Sequence, residues 1–209
     1  MEQLSAVALL LGGSWGAGIS LYLTTAGMGI AHRMGWITLP GNLETIAHPL
    51  VIGTAVLLYA VEFFADKIPY VDSMWDAIHT FIRPAGGIAL GYMAMADVSP
   101  VIQLPVALLT GSIAMDAHLT KATARAAINT SPEPVSNIVA SVGEDAGVLG
   151  ALYLMSAHPV VLTILVIVFI IFSIWFLTTM FKFLKKVLTR QAGRKPEPLD
   201  PGTPTLTKA

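Results

Sequence analysis

The stretch from Pro159 to Phe183 contains the run VVLTILVIVFIIFSIWFLTTMF, with no charged residue inside it. An apolar run of this length is suited to a helix across a bilayer. About 20 such residues cover the hydrocarbon, and a helix satisfies its own backbone polar groups there. Composition extends the reading to the whole chain, because 55% of residues are hydrophobic, only 12% are charged, and the mean hydropathy is +0.71. That mix departs far from a soluble globular domain. The expected fold is therefore all-α, a polytopic membrane bundle of about six transmembrane helices in one domain, 1–187. A basic, proline-rich tail over 188–209 is expected to be disordered. The chain has no cysteine, which removes disulfides, thiolate metal sites and cysteine nucleophiles from consideration. A formal net charge of −1 speaks against nucleic acid as a partner.

Nearly all the polar residues fall in two stretches that resemble each other. VEFFADKIPYVDSMWDAIHTFIRP (61–84) and GSIAMDAHLTKATARAAINTSPEP (111–134) share Asp66/Asp116, Ala77/Ala127, Ile78/Ile128, Thr80/Thr130 and Pro84/Pro134 at an offset of 50. The ungapped register suggests an internal duplication, with repeat 1 at about 51–100 and repeat 2 at about 101–150.

Taken in order, the pattern predicts a first, glycine-rich helix from Leu4 to Ala31, retained rather than cleaved as a signal peptide. A turn at Pro40, Gly41 and Asn42 leads to a second helix over Ile46–Asp66. An amphipathic segment follows between Pro69 and Pro84, carrying Asp72, Asp76, His79 and Arg83 on one stripe. Pro84 suits the first position of a third helix reaching Asp97. A fourth helix is expected over Val101–His118, followed by a second polar connector with Lys121 and Arg125. Ser131-Pro132-Glu133 would cap a fifth helix containing Glu144 and Asp145. The run from Pro159 is the sixth. Lysine and arginine placement puts both connectors and both termini in the cytoplasm, with Arg33 alone on the other side.

The blocks EFFADKIPYVDSMWDAIHTFIRP and KATARAAINTSPEPVSN, with the following GED, resemble a family of bacterial membrane proteins catalogued only as domain of unknown function 4126. The resemblance covers roughly residues 10 to 157. It implies a polytopic protein of the bacterial inner membrane and carries no activity with it.

Ionisable groups at membrane depth are costly unless paired or hydrated, which makes each a candidate for function. Glu62, Asp66, Asp116, Glu144 and Asp145 are the expected lining of an ion pathway, with Asp66 and Asp116 facing each other as repeat mates. Against this stands salt bridging to Lys67, Lys121 or Arg125, which would only lock the bundle. Asp72, Asp76, His79, Arg83, Lys121, Arg125, Asn129, Thr130 and Glu133 are the expected polar vestibule, with Arg83 and Glu133 as an inter-repeat pair. His79 would bond Asp76 or Asp72, or relay protons, and His118 receives no role. Nucleophile elbows, zinc-protease and phosphate-loop motifs are all absent. The expectation is a channel or secondary transporter for a small cation or protons, not an enzyme, with the lipid bilayer as its environment. No cofactor is implied, a metal is left undecided, and a homo-oligomer is compatible with the sequence. Two alternatives remain open: a scaffold docking a partner through its connectors and tail, and a lipid head-group enzyme using Arg83, Lys121 and Arg125.

Overall fold

The computed structural model describes residues 2–68, 70–129 and 134–192. Among them every regular element is helical: α1 (Glu2–Ile19), α2 (Leu21–Arg33), a 3-10 helix (Gly41–Ala47), α3 (Pro49–Ala65), α4 (Val71–Ala94), α5 (Pro100–Ile128), α6 (Pro134–Ala157) and α7 (Pro159–Ala192). Three of these, α5, α6 and α7, are long and apolar enough to cross a membrane. A fourth span results if the 3-10 helix and α3, bent by 66°, count as one. The exterior carries many large apolar side chains, among them Leu57, Phe64, Phe81, Val101, Ile171 and Phe181, as a lipid-facing surface requires.

The first expected helix is two. Ser20 takes an extended conformation (φ −147°, ψ 100°), ending α1 and opening α2. Beyond this break the chain turns back, for Gly16 lies against Thr24 and Gly13 against Met28. The start of α1 consequently shares a cavity with Trp36, Ile37, Met155 and Ser156, residues of the α2–α3 connection and the end of α6. The α1–α2 pair is thus a hairpin whose tip, Ser20, points to the opposite end of the bundle. The two ends of the helical chain therefore lie at opposite ends of the molecule, rather than on one side.

The connectors also differ from expectation. The amphipathic segment and third helix form a single α4 that runs through Pro84, and the fourth helix continues through Lys121 and Arg125 to Ile128. These residues fold as helix because their charged faces find partners inside the protein. The two aspartates expected to be repeat mates sit in different local settings: Asp66 caps α3 beside a turn, whereas Asp116 lies within α5. The helix α7 includes 188–192, so the expected disorder does not begin there, and 193–209 lie outside the described residues. Thr130, Glu133 and the serine-proline cap lie outside them as well.

The most extensive helix pairing is α4 with α5. A Cβ on Gly87 would stand 2.6 Å from Ala114 Cβ and 2.8 Å from the Thr110 carbonyl, so only glycine permits this approach. The apolar core occupies the end away from the hairpin tip, where Leu9, Met28, Leu43, Leu90, Met155 and Leu162 meet. The other end holds a smaller apolar cluster, Ile19, Leu23, Ala117 and Val148, beside a charged interior.

A buried ionic network at the hairpin tip

Four helices contribute one polar stripe each to this charged interior. In α3 the acids Glu62 and Asp66 are one turn apart, and in α4 the stripe is Asp72, Asp76, His79 and Arg83. In α5 it is His118, Lys121 and Arg125, and in α6 Asn137, Ser141 and Glu144. The three cations are at most 3% exposed. Burial on this scale is tolerated only when each charge is paired and each donor has an acceptor.

Arg83 donates from Nη2 to Glu62 at 2.7 Å, and from Nη1 to Asp76 at 3.2 Å, His118 Nδ1 at 2.8 Å and the Gly18 carbonyl at 3.3 Å. Lys121 donates to Asp66 at 2.8 Å and to the Ile19 carbonyl at 3.1 Å, with Glu144 at 3.4 Å and Asp76 at 4.0 Å. Arg125 clamps both oxygens of Glu144 at 3.0 and 2.7 Å. It also donates to Asn137 Oδ1 at 2.6 Å and to the Asp66 carbonyl at 3.0 Å. Asn129 bonds both oxygens of Asp72 at 2.9 and 3.0 Å, with Arg125 3.9 Å away.

The hairpin tip enters this network directly. The break at Ser20 frees the carbonyls of Gly18 and Ile19, which Arg83 and Lys121 use as acceptors. The Ser20 hydroxyl donates to Glu62 at 2.5 Å, placing an acid at the amino end of α2. Each half-helix thereby presents its favourable pole: the negative end of α1 to cations and the positive end of α2 to a carboxylate.

Two histidines complete the inner shell. Because an arginine can only donate, His118 accepts at Nδ1 and is neutral, leaving Nε2–H to face the Thr80 hydroxyl at 3.0 Å. His79 reaches the Trp75 carbonyl at 2.8 Å and the Tyr22 hydroxyl at 3.1 Å, not Asp76 or Asp72 as expected. Tyr22 in turn borders an apolar cleft of about 430 Å³ between α2, α3 and α4.

Of the five acids expected along a pathway, Glu62, Asp66 and Glu144 join the network. Asp145 stands beside it, close to Tyr59 and Lys67. Asp116 is elsewhere, bonded to Ser173 of α7, so Asp66 and Asp116 do not face each other. Arg83 pairs with Glu62 and Asp76, while its expected mate Glu133 lies outside the described residues. Lys67, in the α3–α4 connection, bonds Ser141 at 3.1 Å and sits over the Phe63 ring. Burial lowers its ammonium pKa, against the opposing pull of Asp145 and Asp66.

The participants missed from sequence are Ser20, Tyr22, His118 and Asn137. His118 and Asn137 were accessible to inspection, since 118/121/125 and 137/141/144 each fall on one helical face. Ser20 carried no such signal. Among the described residues no group of three or more histidine or carboxylate ligands is placed to hold a metal.

A family model described as Domain of unknown function (DUF4126) matches residues 7–179. No curated protein and no solved structure matches the chain.

Proposed function

For a chain that belongs to the DUF4126 family, whose description assigns no activity, we propose a channel or secondary transporter that moves protons or another small cation across the bacterial inner membrane. The observation that carries this reading is the broken hairpin. Discontinuous helices whose freed carbonyls and amino ends converge on charged groups within the bilayer are how transporters build ion sites. Here the break at Ser20 brings the Gly18 and Ile19 carbonyls to Arg83 and Lys121, and its hydroxyl to Glu62. A bundle needing only rigidity has no use for irregular backbone there, because unsatisfied peptide groups in hydrocarbon cost several kcal/mol.

In this proposal α3 to α7 cross the membrane and the α1–α2 hairpin re-enters from the face opposite the charged end. The charged end and α7's carboxyl end are cytoplasmic, which keeps Arg33 alone among the basic residues on the other face. The offset-50 correspondence is then a duplication whose copies have diverged locally, one now bearing a turn.

Flux into proteoliposomes tests the reading. Wild-type protein should dissipate an imposed pH or cation gradient, and Glu62→Gln should reduce the rate to that of protein-free vesicles. Absence of flux from folded wild-type protein in either gradient overturns it. The scaffold alternative draws on a different observation: Glu62, Asp66 and Glu144 each already have a cation at 2.7–2.8 Å. It predicts that replacing the Arg83–Glu62 pair by methionine and leucine preserves function. The head-group enzyme finds no support, since its three bases are buried and engaged by carboxylates.

A further inference from the structure

The network contains more acid than base. Five carboxylates, Glu62, Asp66, Asp72, Asp76 and Glu144, meet three cations, Arg83, Lys121 and Arg125. Adding the neighbours Lys67 and Asp145 changes nothing in the balance, and counting His79 as a cation still leaves one carboxylate in excess. Helix poles do not close the gap, because the amino ends of α2 and α4 at this end are offset by the carboxyl ends of α1, α3 and α5.

The hydrogen bonds locate the excess by elimination. Both oxygens of Glu62 are occupied by Arg83 and Ser20, both of Asp72 by Asn129, and both of Glu144 by Arg125. Among the described residues the carboxylate oxygens of the inner network with no partner are Asp66 Oδ1 and Asp76 Oδ2, on residues 4% and 3% exposed; Asp145 Oδ2, beside the network, also has none, but that acid has Lys67 as its own cation. These two acids flank the same ammonium, Lys121. Two carboxylates sharing one cation in a buried site repel each other, and a neutral acid oxygen costs far less to bury than an anionic one.

We infer that Asp66 and Asp76 together hold one exchangeable proton beside Lys121, making the proton the species this site binds. The inference rests on the transport reading and names its cargo. Lys121 occupies the place that a metal cation would take between the acids, and among the described residues no group of three or more ligands is placed to hold such an ion. The proton arrives from water onto a carboxylate oxygen and leaves by the same bond, so no further reactant is required. The pair is faced by Glu62 on α3, Lys67 in the α3–α4 connection, Asp72, His79 and Arg83 on α4, His118, Lys121 and Arg125 on α5, and Glu144 and Asp145 on α6.

Infrared spectroscopy of the full chain in nanodiscs reads the proton directly. Wild-type protein at neutral pH should show a carboxylic acid C=O band that moves in heavy water, bleaches as pH rises, and is indifferent to sodium or potassium. Asp76→Asn should remove this component, because Asp66 then has no second unpartnered carboxylate beside it at Lys121, while Asp97→Asn, on an exposed acid, should leave it. If neither Asp76→Asn nor Asp66→Asn folds, the wild-type pH and salt responses still decide. A missing wild-type band, or one that sodium abolishes at fixed pH, overturns the inference. Flux without the band would leave transport standing with a different cargo. The band without flux would leave the proton site standing without transport.

Discussion

Arg83 is fully buried and satisfies acceptors on four elements: Gly18 of α1, Glu62 of α3, Asp76 of α4 and His118 of α5. Removing it strands two carboxylates at once. Breaking a buried pair from one side costs about 3–5 kcal/mol, so Arg83→Met should lower the thermal midpoint in detergent steeply. Arg83→Lys should recover only part of the loss, since an ammonium cannot reproduce the planar fork. The double variant Arg83→Met, Glu62→Leu should be more stable than Arg83→Met alone, because one stranded charge is gone. Ser20 acts more modestly. Ser20→Ala withdraws one donor from Glu62 and should cost about 1–3 kcal/mol in the same assay.

At the scale of helices, the α4–α5 contact sets how closely Asp76 and Lys121 approach, because both stripes lie on helices packed through Gly87. Gly87→Leu should separate these helices and destabilise the fold by about 1–3 kcal/mol or more. Gly53→Leu, at a position with no atom near its Cβ, should leave the thermal midpoint unchanged. The same elements show what a linear reading can reach. The helix α7 was legible because its uninterrupted apolar run has the length and hydropathy of a span, and the Asp72–Arg83 stripe because helical spacing alone aligns it. Lys121 and Arg125 were misplaced since cations in a polar stretch resemble a solvated connector until their acids arrive from α3 and α6. The break in α1 was invisible because its cause is remote: Ser20 leaves helical geometry with Glu62, 42 residues away, as its hydrogen-bond partner. Pro84 misled in the opposite way, by suggesting a start where α4 merely tolerates it.

At the scale of the molecule, the folded-back first hairpin makes a topological claim that is easy to check, since a chain without cysteine gives clean single-cysteine variants. Leu4→Cys and Asp97→Cys should react with a membrane-impermeant maleimide from one side of the membrane, and Lys182→Cys from the other. Labelling of Leu4→Cys and Lys182→Cys from a common side would contradict the hairpin. The tip also dictates an order of biogenesis. Its exposed carbonyls find their donors on Arg83 and Lys121, which leave the ribosome roughly sixty to a hundred residues after Ser20. The α1–α2 tip therefore cannot settle until α4 and α5 have been inserted.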